Sequence, residues 1–221
     1  MGNVLKDELI EFKTVIFDMD GTLIDSMWMW HQIDIDYLGK FGIALPEHLQ
    51  EDIEGKSFTE TAIYFKNRFG LKDSLDTIKN DWNMMAHDMY CHHVPVKEGV
   101  LPFLEYLKSN HFKLGVATST SRELVNCAFQ SLHLYNYFDC IMTASEISKG
   151  KPEPDIYLAV AKELNVNPSS CLVFEDILPG IQAGKAAGMK VCAVEDAYSL
   201  KIKAEKMKAS DYYIHDYYEL M

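Results

Sequence analysis

The sequence predicts an α/β protein: a mostly parallel sheet covered by helices on both faces, with one all-helical segment inserted. Three observations predict it. Short apolar runs rich in β-branched residues alternate with helical patterns, as strands joined by crossover helices do. The stretch from about 26 to 94 contains no strand-like run and only helical spacing. The chain has 221 residues, 48% apolar and 24% charged, enough to bury a core without a disulfide or metal staple.

The elements follow in chain order. Thr14-Val15-Ile16-Phe17 reads as a buried strand whose C-terminal end turns polar at Asp18-Met19-Asp20-Gly21. Trp30, Ile33, Tyr37 and Phe41 then keep helical spacing, as do Ala62, Phe65 and Phe69, and Ile78, Trp82, Met85 and Met89. Pro95 and Gly99 punctuate the return. Four more strands are expected at Lys113–Ala117, Cys140–Met142, Cys171–Phe174 and Lys190–Val194, with a sixth at Tyr212–Ile214. Helices between them are marked by Leu101, Leu104 and Leu107, by Leu124, Cys127 and Leu132, and by Ile156, Val160 and Leu164. The expected division is a core of 1–25 and 95–221 and a helical domain of 26–94. Emerging from the tip of the first strand, that domain would sit over the strand ends, where open α/β sheets bind ligands.

Composition excludes some classes. With 21 basic and 33 acidic residues the net charge is −12, which repels nucleic acid and anionic lipid. A phosphorylated ligand would therefore need local cations or a metal. No apolar run reaches the length of a membrane span, and no signal-peptide core is evident. Five cysteines without paired spacing point to reduced thiols and a cytoplasmic protein. A monomer is the expectation.

Four motifs fall at or beyond strand ends: Asp18-Met19-Asp20-Gly21-Thr22-Leu23, Thr118-Ser119-Thr120, Gly150-Lys151-Pro152-Glu153-Pro154 and Glu175-Asp176. In a parallel sheet all four meet on one edge. Two carboxylates about 4 Å apart repel by about 4 kcal/mol at an effective dielectric near 20, so several together demand a counter-ion. Hard oxygen ligands without thiolates favour Mg²⁺. Lys151 adds a fixed positive charge, and Thr118 with nearby N–H groups adds donors, which together make a cradle for a phosphoryl group in transfer. One carboxylate could attack phosphorus, and a second, two residues on in extended geometry, could serve as acid and base.

These residues closely resemble the haloacid dehalogenase superfamily of phosphohydrolases. Asp18-Met19-Asp20-Gly21-Thr22-Leu23-Ile24 matches its first motif, Thr118 its second and Lys151 within Gly-Lys-Pro its third. Glu175-Asp176 opening a run through Gly180, Gly184 and Gly188-Met189 matches its fourth. The resemblance implies a Rossmann-like three-layer core, and in the insertion a helical cap like that of β-phosphoglucomutase-like and phosphoglycolate-phosphatase-like members. It implies Asp18 as nucleophile and Mg²⁺ ligand, and Asp20 as general acid/base that also offers the metal its backbone carbonyl. Thr118, Ser119 and Lys151 would hold the phosphoryl group; Asp176 would bind the metal and Glu175 would act through a bound water. Ile177 departs from the family, where Ser is frequent.

The implied activity is a Mg²⁺-dependent phosphatase acting on a small phosphate monoester through an aspartyl-phosphate. The alternative is a sugar phosphomutase of the β-phosphoglucomutase kind, and a non-catalytic phosphate-binding domain stands behind both. The mutase reading loses its specific cap residues: Phe58 stands three after Gly55, where a basic residue is wanted, with Glu54 before the glycine, and Trp30 stands where a histidine is wanted, although His31 adjoins it and Lys56 could substitute. Blander readings cover other features. A calcium loop centred on Gly21 would need acids at Ile16 and Met27. Gly55-Lys56-Ser57 lacks the earlier glycine of a P-loop, because Gln50 stands there. His92 and His93 read as solvated, Trp28 and Trp30 as cap core, Gly180, Gly184 and Gly188 as helix–sheet packing, and the lysines from 201 to 208 as a solvated helix face.

Overall fold

The structure, a computed structural model, describes residues 4–53 and 58–221, without the side chains of Val4, Gln50 and Glu51. Glu54, Gly55, Lys56 and Ser57 therefore lie outside the described residues. The chain divides into two compact units, 1–26 with 94–221, and 27–93.

The larger unit is a three-layer α/β structure. A short helix α1 (Val4–Glu8) precedes strand β1 (Thr14–Phe17), and after the insertion come helix α6 (Val100–Ser109), β2 (Lys113–Thr118), α7 (Arg122–Ser131) and β3 (Cys140–Thr143). There follow α8 (Asp155–Glu163), β4 (Cys171–Glu175), α9 (Leu178–Ala186), β5 (Lys190–Val194), α10 (Lys203–Ala209) and β6 (Tyr212–Ile214). The six strands form one sheet in the order β3-β2-β1-β4-β5-β6, parallel throughout. β1 lies at the centre, with Phe17 opposite Val116 on one side and Phe174 on the other.

Every residue of β1 is buried, as a strand covered on both faces requires. Ile16, Ala117, Val173 and Val191 face Ile156, Val160 and Ala161 of α8 and Ile181 and Ala183 of α9. On the opposite face Phe17 stacks on Phe174 at 5.1 Å between ring centroids, with Phe103 and Tyr217 closing the cluster. Gly184 bears out the packing reading, since a Cβ there would meet Val191 at 2.8 Å. Gly188 does not: it has open space around it and a φ of +77°, and it ends α9 with Met189 N–H bonded back to the Gly184 carbonyl.

The smaller unit is helical: α2 (Met27–Gly39), α3 (Leu49–Ile53), α4 (Phe58–Phe69) and α5 (Leu75–His92). Tyr37, Phe65 and Trp82 form its aromatic centre, with Phe65 and Trp82 edge to face at 4.9 Å. The buried stripe of α5 runs through Ile78, Trp82, Ala86 and Tyr90, one position beyond the expected Met85 and Met89. Trp28 is 39% exposed and Trp30 half-buried, so neither is the core residue expected; Met29, between them, is fully buried. His92 and His93 are exposed, with Asp88 as partner. Cys140, Cys171 and Cys192 are free and buried. Among the described residues no helix is long and apolar enough to cross a membrane.

Candidate active site

Parallel strands leave their C-terminal carbonyl ends on one edge, and the motif residues gather there. The N–H of Asp18 donates to the Phe174 carbonyl at 3.0 Å, so the β1–β4 ladder carries the side chain to the rim. The turn beyond closes on the Met19 carbonyl, with Gly21 at a φ of +74° that a side chain would resist. Thr118 and Glu175 are the last residues of β2 and β4.

Lys151 is the hub. Its ammonium donates to Asp18 Oδ1 at 2.5 Å, to Glu175 Oε1 at 2.6 Å and to the Ala117 carbonyl at 3.1 Å. Burial alone would lower the Lys151 pKa, but Asp18 and Glu175 outweigh it and hold the ammonium well above its ordinary value. Glu175 is fully buried and saturated: Tyr157 also donates to Oε1, and the N–H groups of Asp176 and Ile177 donate to Oε2. Asp176 accepts from Thr22 Oγ1 at 3.3 Å on one oxygen, while its buried Oδ2 has no hydrogen-bond partner.

Asp18, Glu175 and Asp176 each bring a carboxylate oxygen within 4.8 Å of the others. Burial, and then their mutual repulsion, raises the Asp18 and Asp176 pKa values well above the carboxylate range, against the opposing pull of Lys151 on Asp18 and Lys206 on Asp176. Lys151 supplies one positive charge against these three acids. A divalent cation suits the residual charge, the all-oxygen donor set and the open Asp176 oxygen. Asp18 and Asp176 fit as its ligands; Glu175, with its oxygens already committed to four donors, fits a supporting role.

Asp20 stands apart from this triad. Its carboxylate accepts from Ser26 Oγ and Thr120 Oγ1, both at 2.6 Å. Thr118 is buried and its hydroxyl accepts from the Thr120 N–H at 3.0 Å, whereas Ser119 points to solvent as an exposed residue. Sequence reasoning passed over Ser26, Tyr157 and Lys206 as site residues; Thr22 and Thr120 lay inside quoted motifs without a role. Lys206 corrects the solvated-face reading: it is fully buried and donates to the carbonyls of Asp176 and Val194 and to Ser199 Oγ. No single-residue signal marks it among its neighbouring lysines.

A family model described as haloacid dehalogenase-like hydrolase matches residues 15–194. The chain belongs to that family. A phosphorylated carbohydrates phosphatase of Thermotoga maritima is 33% identical over 178 residues, covering 80% of this chain and 82% of that protein. A fructose-1-phosphate phosphatase of Escherichia coli is 30% identical over 179 residues, covering 79% and 92%. A solved structure from Thermotoga maritima, described as a candidate β-phosphoglucomutase, matches with a TM-score of 0.83 at 30% identity, covering 94% of this chain and 96% of that one. This haloacid dehalogenase-like chain is accordingly an enzyme of the hydrolase class.

Proposed function

We propose that the chain is a Mg²⁺-dependent phosphatase that hydrolyses small phosphate monoesters, phosphorylated sugars foremost, through phosphorylation of Asp18. The observation that carries this reading is one ammonium, Lys151, shared by Asp18 and Glu175 beside the open oxygen of Asp176. The sugar-phosphate class is supported by the phosphatase relatives from Thermotoga maritima and Escherichia coli.

In this reading Lys151 holds one Asp18 oxygen and leaves the other for phosphorus. The new bond joins the Asp18 oxygen to phosphorus as the ester P–O bond breaks. Asp20, protonated, gives its proton to the departing sugar oxygen. As a carboxylate it then takes a proton from water while that water attacks the aspartyl-phosphate, the acyl P–O bond breaks, and phosphate leaves with Asp18 restored. Ser26 and Thr120 fix where the Asp20 oxygens lie. Thr118 and Lys151 supply donors for phosphoryl oxygens, and Ser119 does so through its exposed position. Mg²⁺, held by Asp18 and Asp176 with the Asp20 backbone carbonyl, would supply neutralisation of the phosphoryl charge.

The test is phosphate release across sugar phosphates, phosphoglycolate, nucleotides and polyol phosphates, with and without chelator. Release from a hexose phosphate that chelator abolishes and Mg²⁺ restores is the expected result; chelator-insensitive turnover removes the metal. Asp18→Asn should abolish turnover with the fold retained, and an active variant removes Asp18 as nucleophile. The second reading, a sugar phosphomutase, draws on the Thermotoga maritima structural match. It predicts interconversion of sugar 1- and 6-phosphates that needs trace bisphosphate and releases little phosphate.

A further inference from the structure

Lys206 is a fully buried cation with no carboxylate in its hydrogen-bond shell. Its three bonds go to the Asp176 carbonyl at 2.9 Å, the Val194 carbonyl at 2.9 Å and Ser199 Oγ at 2.7 Å. Removing an ammonium from water costs several kcal/mol, far more than is needed to satisfy two carbonyls at strand ends, which a water could do. The expense attaches to one peptide in particular. Ser199 Oγ also donates to the Asp176 carbonyl, at 3.0 Å, while the Asp176 N–H donates to Glu175 Oε2 at 2.9 Å. The main chain of Asp176 is thus clamped at both ends. Its side chain, by contrast, has one long hydrogen bond and one unpartnered oxygen.

We propose that Lys206, assisted by Ser199, is a positioning residue of the active site that pins the Asp176 main chain so that its open carboxylate oxygen is preset for a divalent cation. The inference rests on the metal reading given under Proposed function. Charge and geometry predict opposite signs for it. As a positive charge Lys206 opposes a bound cation, so removing it would tighten binding if charge alone mattered. As a clamp it pre-organises a ligand, and losing such outer partners weakens metal binding by about 10- to 100-fold.

The experiment titrates MgCl₂ alone into the full-length protein by calorimetry, comparing wild type with Lys206→Met and Ser199→Ala, each checked for native circular dichroism. Expected is Mg²⁺ binding weakened about 10- to 100-fold in Lys206→Met and about 2- to 10-fold in Ser199→Ala, which takes one hydrogen bond from the Asp176 carbonyl and leaves that of Lys206. Sugar-phosphate KM measured at saturating Mg²⁺ should stay at the wild-type value in both, which general loosening of the fold would not allow. Unchanged or tighter Mg²⁺ binding in a folded Lys206→Met overturns the clamp and leaves the metal reading standing. If Lys206→Met does not fold, unchanged binding in Ser199→Ala overturns it instead. Wild-type protein that takes up no Mg²⁺ overturns the metal reading, and the clamp with it.

Discussion

Gly180→Ala sets two well-calibrated effects against each other. Gly180 lies in the first turn of α9, in ordinary helical geometry, and replacing a helical glycine by alanine is worth about 1 kcal/mol of added stability. A Cβ at this position, however, would stand 1.6 Å from Glu175 Oε1, 1.9 Å from Cδ and 2.4 Å from Oε2. The carboxylate cannot slide away cheaply, because Lys151, Tyr157 and the N–H groups of Asp176 and Ile177 all hold it. Overpacking costs about 1–3 kcal/mol, and a hydrogen bond to a charged group lost on displacement costs about 1.5–3 kcal/mol more. The clash wins: Gly180→Ala should destabilise by about 2–4 kcal/mol in urea unfolding at neutral pH and depress kcat, because Lys151 loses its second anchor. In a Glu175→Ala background the obstacle is gone, and Gly180→Ala should there be neutral or stabilising by up to about 1 kcal/mol. A single variant as stable and active as wild type, or an equal penalty in both backgrounds, would refute the reasoning.

Other outcomes follow from neighbouring contacts. Asp20→Ala should lower kcat by about 10²–10⁴-fold; Thr120→Ala and Ser26→Ala, which only orient Asp20, should each cost less, and steady-state kinetics decides the ranking. Tyr157→Phe strips one of two donors from Glu175 Oε1 and should cost about 1 kcal/mol in urea unfolding while retaining turnover. Glu195, bonded to Lys203, Tyr213 and His215, has its pKa pulled from 4.5 to about 2, first by the Lys203 hydrogen bond. A lowered carboxylate pKa contributes stability that is full above 4.5 and lost as pH falls towards 2. Discounted for its partial exposure, Glu195→Gln should cost about 1 kcal/mol at pH 7. The difference from wild type should vanish at the acid end of a urea-midpoint series.

The sheet was readable because its strands are buried on both faces, so each appears as an unbroken apolar run with a polar end. Five runs and the shorter Tyr212–Ile214 match β1 to β6 within a residue or so. The residues of the acidic triad and Lys151 were readable for a related reason: a parallel sheet converts strand-end position into spatial convergence. Their partners were not. Tyr157 and Ser26 have no periodicity that distinguishes them, and their roles depend on which helix face meets which strand end. Lys206 lies among other lysines on a short helix, and only the packing of α10 buries it. Trp28 failed for the converse reason: apolar character says a side chain can be buried, not that the fold has room for it.

The central place of β1 carries a consequence for synthesis. Its two neighbours begin at Lys113 and Cys171, so the strand that ends beside Asp18 leaves the ribosome about a hundred residues before either can flank it. Until then Val15, Ile16 and Phe17 lack their native strand neighbours, and the nascent chain displays an adhesive, unpaired segment. The helices of residues 27–93, built from local contacts, can form during that wait. Chaperone traffic and aggregation in this protein should therefore track the delay between its first strand and its fourth more than the stability of the finished molecule.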